Sequence, residues 1–342
     1  MKRVFGTMFD TRKKNRNAEI QTQMAAASAG GQVGGGGATL SAMMPMAAAG
    51  ATGGGSAATA GRETVSLRLS KFDMAKIPDD CVVLFIGRRG TGKSWLIKDL
   101  LWHKQKFPIG TVISGTEGAN AFYSSIVPSL FIHEEFTSTI ISDLLKRQDT
   151  ITKHIRREKE LRGSSAVDRR AFICMDDCLY DNKWINDKYV RSLFMNGRHY
   201  GLLYILAIQY VMGIPPVLRG QVDYVFILRE NQVSARKRIY EQFAGIFPSF
   251  ELFCQILDQC TENFECLVIH NGSKTNRLED CVFWYKAEPR PSFRIGSHDL
   301  WVRSAEYDRL KEAQEAAGES GATLSSTGAG TPKGPIVTVK KY

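Results

Sequence analysis

A short apolar run, Val82-Val83-Leu84-Phe85-Ile86, passes without interruption into Gly87-Arg88-Arg89-Gly90-Thr91-Gly92-Lys93-Ser94. Trp95, Leu96, Leu100 and Leu101 then recur at helical spacing. This order of strand, glycine-rich turn and helix constrains the chain more than any other feature. The eight residues match G-x-x-x-x-G-K-[ST], and the flanking strand and helix are the context that gives the pattern meaning. Glycines let successive backbone N–H groups turn inward at the positive end of a helix dipole, which makes a cradle for a phosphate. Lys93 adds a point charge for the β- and γ-phosphates, and the Ser94 hydroxyl is the expected ligand of Mg²⁺. The segment Gly87, Arg88, Arg89, Gly90, Thr91, Gly92, Lys93 and Ser94 is therefore read as a nucleoside-triphosphate loop, with ATP and Mg²⁺ as its cofactors.

A second run, Phe172-Ile173-Cys174-Met175, ends in Asp176-Asp177. Acids at the C-terminal end of an apolar strand sit where α/β sheets bind ligands. Asp176 is assigned to Mg²⁺ and Asp177 to the water that attacks the γ-phosphate. Paired acids of this kind mark motor-type ATPases rather than simple kinases. No N-K-x-D run is present to read guanine.

Further apolar runs at residues 111–114, 130–133, 202–208, 224–228 and 266–270 alternate with helix-like stretches at 93–104, 137–162, 187–198 and 234–244. Strands apolar on both faces, separated by helices, predict an α/β fold with a mostly parallel central sheet flanked by helices. The folded part is placed at residues 62–302. Residues 1–61, basic and then Gly/Ala-rich, are expected to be a disordered tail. Residues 303–342 are expected to hold a short helix and a second disordered tail. No stretch has the apolar content of a membrane span, and the Gly/Ala tract lacks the Leu-rich core of a signal peptide. The seven cysteines show no paired spacing, which argues for a reducing compartment and against zinc. The histidines likewise show no ligand spacing.

Past the second strand come Asn196-Gly197-Arg198-His199 and then Leu202-Leu203-Tyr204-Ile205-Leu206-Ala207-Ile208-Gln209. Together with the phosphate loop and the acid-bearing strand, this order resembles the genome-packaging ATPases of large nucleocytoplasmic DNA viruses, of the poxvirus and algal-virus type. These form part of the FtsK–HerA branch of RecA-like motors. The resemblance spans roughly residues 80–290. It implies a RecA-like P-loop NTPase core, hydrolysis of ATP, and a homo-oligomeric ring acting on double-stranded DNA, with capsid or portal-vertex proteins as partners. It places the protein in the virion or in host cytoplasm at assembly sites. It also implies that Gln209 senses the γ-phosphate or the lytic water, and that Arg198 reaches a neighbouring subunit's ATP as an arginine finger. The alternative for Arg198 is a cation complementing a helix C-terminus. Asp177 stands where the wider branch usually has Glu. Arg88 and Arg89, inside the loop, resemble the in-cis arginine of large terminases, or else they are exposed loop cations.

The net charge of +10 fits a nucleic-acid partner, and equally an anionic membrane surface or a solvated basic surface. Between Lys146 and Arg170 there are nine Lys/Arg against four acids. Lys153, Arg156 and Arg157 are candidate phosphate contacts there, with Arg236 and Lys237 as a second cluster. A solvated helix whose Glu158 and Glu160 pair locally is the other reading of the first stretch. The rival functions are a helicase or DNA-segregation motor of the same fold, and a virion structural protein that uses ATP as an assembly switch.

Overall fold

In a computed structural model of the chain, residues 67–177, 182–211 and 214–322 are described. Both expected tails lie outside these residues, except for the start of the C-terminal one. The strands are β1 (Val82–Ile86), β2 (Gly110–Ser114), β3 (Ile132–His133), β4 (Ala171–Asp176), β5 (Leu202–Ile208), β6 (Tyr224–Ile227), β7 (Glu265–His270) and β8 (Val282–Lys286). The helices are α1 (Lys93–His103), α2 (Glu117–Asn120), α3 (Ser138–Arg162), α4 (Lys188–Asn196), α5 (Pro216–Arg219), α6 (Val233–Phe243), α7 (Phe250–Cys260), α8 (Leu278–Cys281) and α9 (His298–Ala322).

The strands form one sheet in the order β3-β2-β4-β5-β1-β6-β7-β8. The first six are parallel, and β7 and β8 extend the sheet antiparallel. The mostly parallel α/β fold expected from the alternation of apolar runs and helices is thus what the chain adopts. Strand periodicity explains the layers. Val82, Leu84 and Ile86 enter one core with Ile141, Leu144 and Leu145 of α3 and Val190 and Leu193 of α4. Val83 and Phe85 point the other way, into a core with Leu96, Ile97, Leu100 and Leu101 of α1. Every residue of β1, β2, β4, β5 and β6 is buried, which is why these strands read as unbroken apolar runs.

Several elements differ from the sequence expectation. The third strand is only Ile132–His133, because Ser129–Phe131 forms a 3-10 turn instead. The expected helix at 187–198 stops at Asn196, and Gly197–Tyr200 continues as a 3-10 turn carrying Arg198. Asp187 caps that helix, its carboxylate accepting from the N–H groups of Tyr189 and Val190. Past residue 302, where the sequence predicts a short helix, α9 runs for 25 residues from His298. No helix among the described residues is long and apolar enough to cross a membrane.

Candidate functional site

The loop after β1 closes by backbone geometry. Gly87 N–H donates to Ile208 O at 3.1 Å, fixing the loop entrance to the end of β5. A Cβ on Gly87 would fall 2.8 Å from Leu228 Cβ, so no larger residue fits without displacement. Gly92 has φ of 103° directly before α1, the left-handed turn that aims the first N–H groups of the helix into the loop. Thr91 Oγ1 donates to Arg88 O at 2.7 Å. Lys93 Nζ donates to Gly87 O at 2.8 Å and lies close to Arg88 O. Burial pulls the Lys93 ammonium below its ordinary value, while the carboxylates of Asp177 and Asp176 oppose that shift.

The acids arrive from β4, two positions away in the sheet, with β5 between them and the loop strand. Ser94 Oγ stands 3.4 Å from Asp176 Oδ2. Tyr123 OH donates to the same Oδ2 at 2.6 Å. Tyr123 is presented by a short turn that buried Glu117 organises, its carboxylate accepting from Tyr123 N at 3.0 Å and Ser124 N at 2.8 Å. Asp176 is almost wholly buried, and desolvation raises its carboxyl above the ordinary range. Its second oxygen, Oδ1, is buried without a hydrogen-bond partner, and so is Asp177 Oδ1. Asp177 itself takes φ of 50°, an uncommon conformation for a residue with a side chain.

These groups line one cavity of about 620 Å³ with Arg89, Gly90, Gly92, Lys93, Ser94 and both aspartates in its wall. The orphaned Asp176 oxygen beside a serine hydroxyl fits a hard divalent cation that takes one or two protein oxygens and completes its shell elsewhere, the habit of Mg²⁺. Gln209 is half-buried and lines a separate depression with Arg88, Arg89, Thr91 and Arg229. It reaches the phosphate loop but not the wall that carries the acids. Arg88 approaches buried Glu230 at 3.9 Å.

Arg198 is not brought to this cavity. Its guanidinium pairs with Asp223 at 3.0 Å, and Asp223 also accepts from Val82 N at 2.9 Å, at the start of β1. A five-residue strand separates that edge from Gly87, about 16 Å at the usual rise. The basic candidates divide. Arg156 and Arg157 are exposed on α3, whereas Lys153 pairs with Asp149 at 2.6 Å. Lys237 is exposed, but Arg236 is turned inward, its side chain 14% exposed, clasping Asp258 of α7 and donating to Glu230 O at 2.6 Å. Sequence reasoning missed Glu117 and Tyr123, which lie far from the motifs along the chain and carry no local signature.

Fold and site together define a core of the P-loop NTPase class. No protein-family model matches the chain. It is 38% identical over 233 residues to an uncharacterized protein of Acanthamoeba polyphaga mimivirus, covering 68% of this chain and 81% of that one. It is 43% identical over 221 residues to an uncharacterized protein of Invertebrate iridescent virus 6, covering 64% of this chain and 82% of the relative. The chain belongs to this family of proteins from large nucleocytoplasmic DNA viruses. Among solved structures it is similar to the genome packaging NTPase of Sulfolobus turreted icosahedral virus 2 in complex with sulfate, at 17% identity and a TM-score of 0.41, covering 63% of this chain and 100% of that one.

Proposed function

We propose that the chain is a Mg²⁺-dependent ATPase that drives double-stranded DNA into a viral capsid as part of a homo-oligomeric ring. The observation that carries the hydrolytic part is the convergence of Lys93, Ser94, Asp176 and Asp177 on one cavity at the helix N-terminus. Lys93 and the loop N–H groups bind the β- and γ-phosphates. Ser94 and Asp176 hold Mg²⁺, which neutralises charge on the phosphate oxygens when it is bound. Asp177 takes a proton from the attacking water as its oxygen bonds to the γ-phosphorus and the bridge to ADP breaks. Gln209, at the loop entrance, orients that water or reads the γ-phosphate. Arg198 lies too far from its own phosphate loop to act there, so any role of this residue in hydrolysis is toward a neighbouring subunit.

Translocation rests on the motif order described above and on the exposed cations of α3. Arg156 and Arg157 present charge without reading bases, which suits a motor that must act on any sequence. The boundaries of the ATPase domain at residues 62–302, and capsid or portal-vertex partners, are part of the same proposal. The test is the steady-state ATPase rate with and without duplex DNA. Hydrolysis that requires Mg²⁺ and rises with duplex DNA supports the reading. Negligible turnover under both conditions would instead fit a virion protein that uses ATP as an assembly switch.

A further inference from the structure

The cavity has a second wall formed by Phe264 and the strip Lys286-Ala287-Glu288-Pro289, and Trp95 also lines it. Topology brings it there. Because β7 runs antiparallel to β6, its first residue, Glu265, lies beyond the C-terminal end of β6, on the side where β1 delivers the phosphate loop. Glu265 pairs in turn with Lys286, the last residue of β8. The residues just before β7 and just after β8 therefore face the loop. In the sheet order, β4 stands two places from β1 on one side and β7 two places on the other, about 10 Å each way at the usual strand spacing. The aromatic wall and the acids thus flank the phosphate loop from opposite sides.

Phe264 is held in an unusual way. It has φ of 64° and follows Asn263 at 50°, two successive residues with side chains in the left-handed region. They are the central residues of a tight turn closed by Glu265 N–H donating to Glu262 O at 2.8 Å, a position that Asn fills readily and a bulky aromatic uncommonly. The strain is not repaid by burial, since the side chain is 67% exposed. Its ring lies over the helix N-terminus, where a Cβ on Gly92 would come within 3.6 Å of Phe264 Cδ1. The neighbouring strip is braced against α1. Buried Asp99 accepts from Tyr285 OH at 2.7 Å, Glu288 N at 2.9 Å and Arg290 Nε at 2.7 Å. Trp95 is also exposed, but Lys98 covers its ring at 5.5 Å.

We propose that Phe264 stacks on the purine base of the bound nucleotide, with the Ala287–Pro289 strip beside it in the same wall. This rests on the phosphate-loop reading of Gly87–Ser94. Stacking on an aromatic face is tolerant of base identity, because every base has a π-face. The site therefore takes ATP and GTP with similar gain from Phe264.

The test compares two probes by calorimetry in the presence of Mg²⁺: ATPγS, which has a base, and inorganic tripolyphosphate, which has none. Phe264→Ala weakens ATPγS by about fivefold to 150-fold, the range set by base–aromatic stacking. Tripolyphosphate affinity stays unchanged, and Phe264→Trp restores ATPγS binding. Lys93→Ala loses both probes. An ATPγS affinity in Phe264→Ala within twofold of the parent protein, with dependence on Lys93 intact, overturns the stacking role alone. So does a Trp95→Ala variant that loses ATPγS while Phe264→Ala does not. Tripolyphosphate binding that survives Lys93→Ala overturns the phosphate-loop reading beneath it.

Discussion

Tyr123→Phe removes one oxygen atom and nothing else, yet that atom is the donor to Asp176 Oδ2 at 2.6 Å in a wholly buried setting. The carboxylate would keep only Ser94 Oγ, at 3.4 Å, among its side-chain partners. A hydrogen bond to a charged group contributes about 1.5–3 kcal/mol. For a folded body of this size each kcal/mol moves the melting temperature by about 2–4 °C. The nucleotide-free protein should therefore melt roughly 3–12 °C lower, read by circular dichroism or scanning calorimetry. The same hydroxyl also orients Asp176, so affinity for Mg·ATP should fall as well. A double-mutant cycle isolates the pair: in an Asp176→Asn background, Tyr123→Phe should cost at least about 0.5 kcal/mol less than in the parent. A melting point within about 1 °C of the parent, or fully additive losses, would refute the claim that Tyr123 holds Asp176.

Three other perturbations separate the remaining roles. Asp177→Asn should bind Mg·ATP with parent-like affinity in a filter or calorimetric assay while hydrolysis is lost, because Asp176 and Ser94 are untouched; parent-like turnover would remove Asp177 from the chemistry. Charge reversal at Arg156 and Arg157 should weaken duplex binding for all sequences and lower the salt slope by about 0.9 for each DNA phosphate that is no longer neutralised. Arg236→Ala should instead destabilise the fold with little effect on that slope, since its guanidinium holds Asp258. Arg198→Ala should bind ATP normally and hydrolyse it poorly, and mixing it with Asp177→Asn protein should recover part of the rate through interfaces that retain both groups. No gain after verified subunit exchange would limit Arg198 to its pair with Asp223.

The parts of the fold legible in the sequence are those where local pattern and burial agree. β1, β4 and β5 are buried on both faces and read directly as apolar runs ending at glycine, Asp176 or Gln209. Of the antiparallel extension, β7 is legible as the apolar run at 266–270, and β8 is not. β8 is an edge strand, with Phe283 and Trp284 only half-buried and Lys286 exposed, so its pattern resembles neither a core strand nor clean alternation. α7 did carry a signal. Ser249 caps it, with Oγ accepting from Leu252 N, and Phe253, Ile256 and Leu257 recur at helical spacing. The candidate site divides in the same way. The loop and the acid pair follow from contiguous motifs, because their chemistry needs neighbouring residues. Tyr123 and Phe264 reach the cavity only through the tertiary fold, and Phe264 does so from a turn whose backbone angles sequence does not display. The inward turn of Arg236 depends on α7 packing alongside α6, so a run of basic residues overstated the charge offered to a partner.

If hydrolysis in this cavity moves duplex DNA, the protein displaces a triplex-forming strand from its path. A labelled third strand bound near one end of a linear duplex reports any motor that travels along the DNA, whether or not it separates the strands. Release of the third strand should require ATP and Mg²⁺ and be abolished in Lys93→Ala, while the duplex itself stays paired. Release by Lys93→Ala, or none by the parent protein under conditions where it hydrolyses ATP on DNA, would mean that this cavity does not drive translocation.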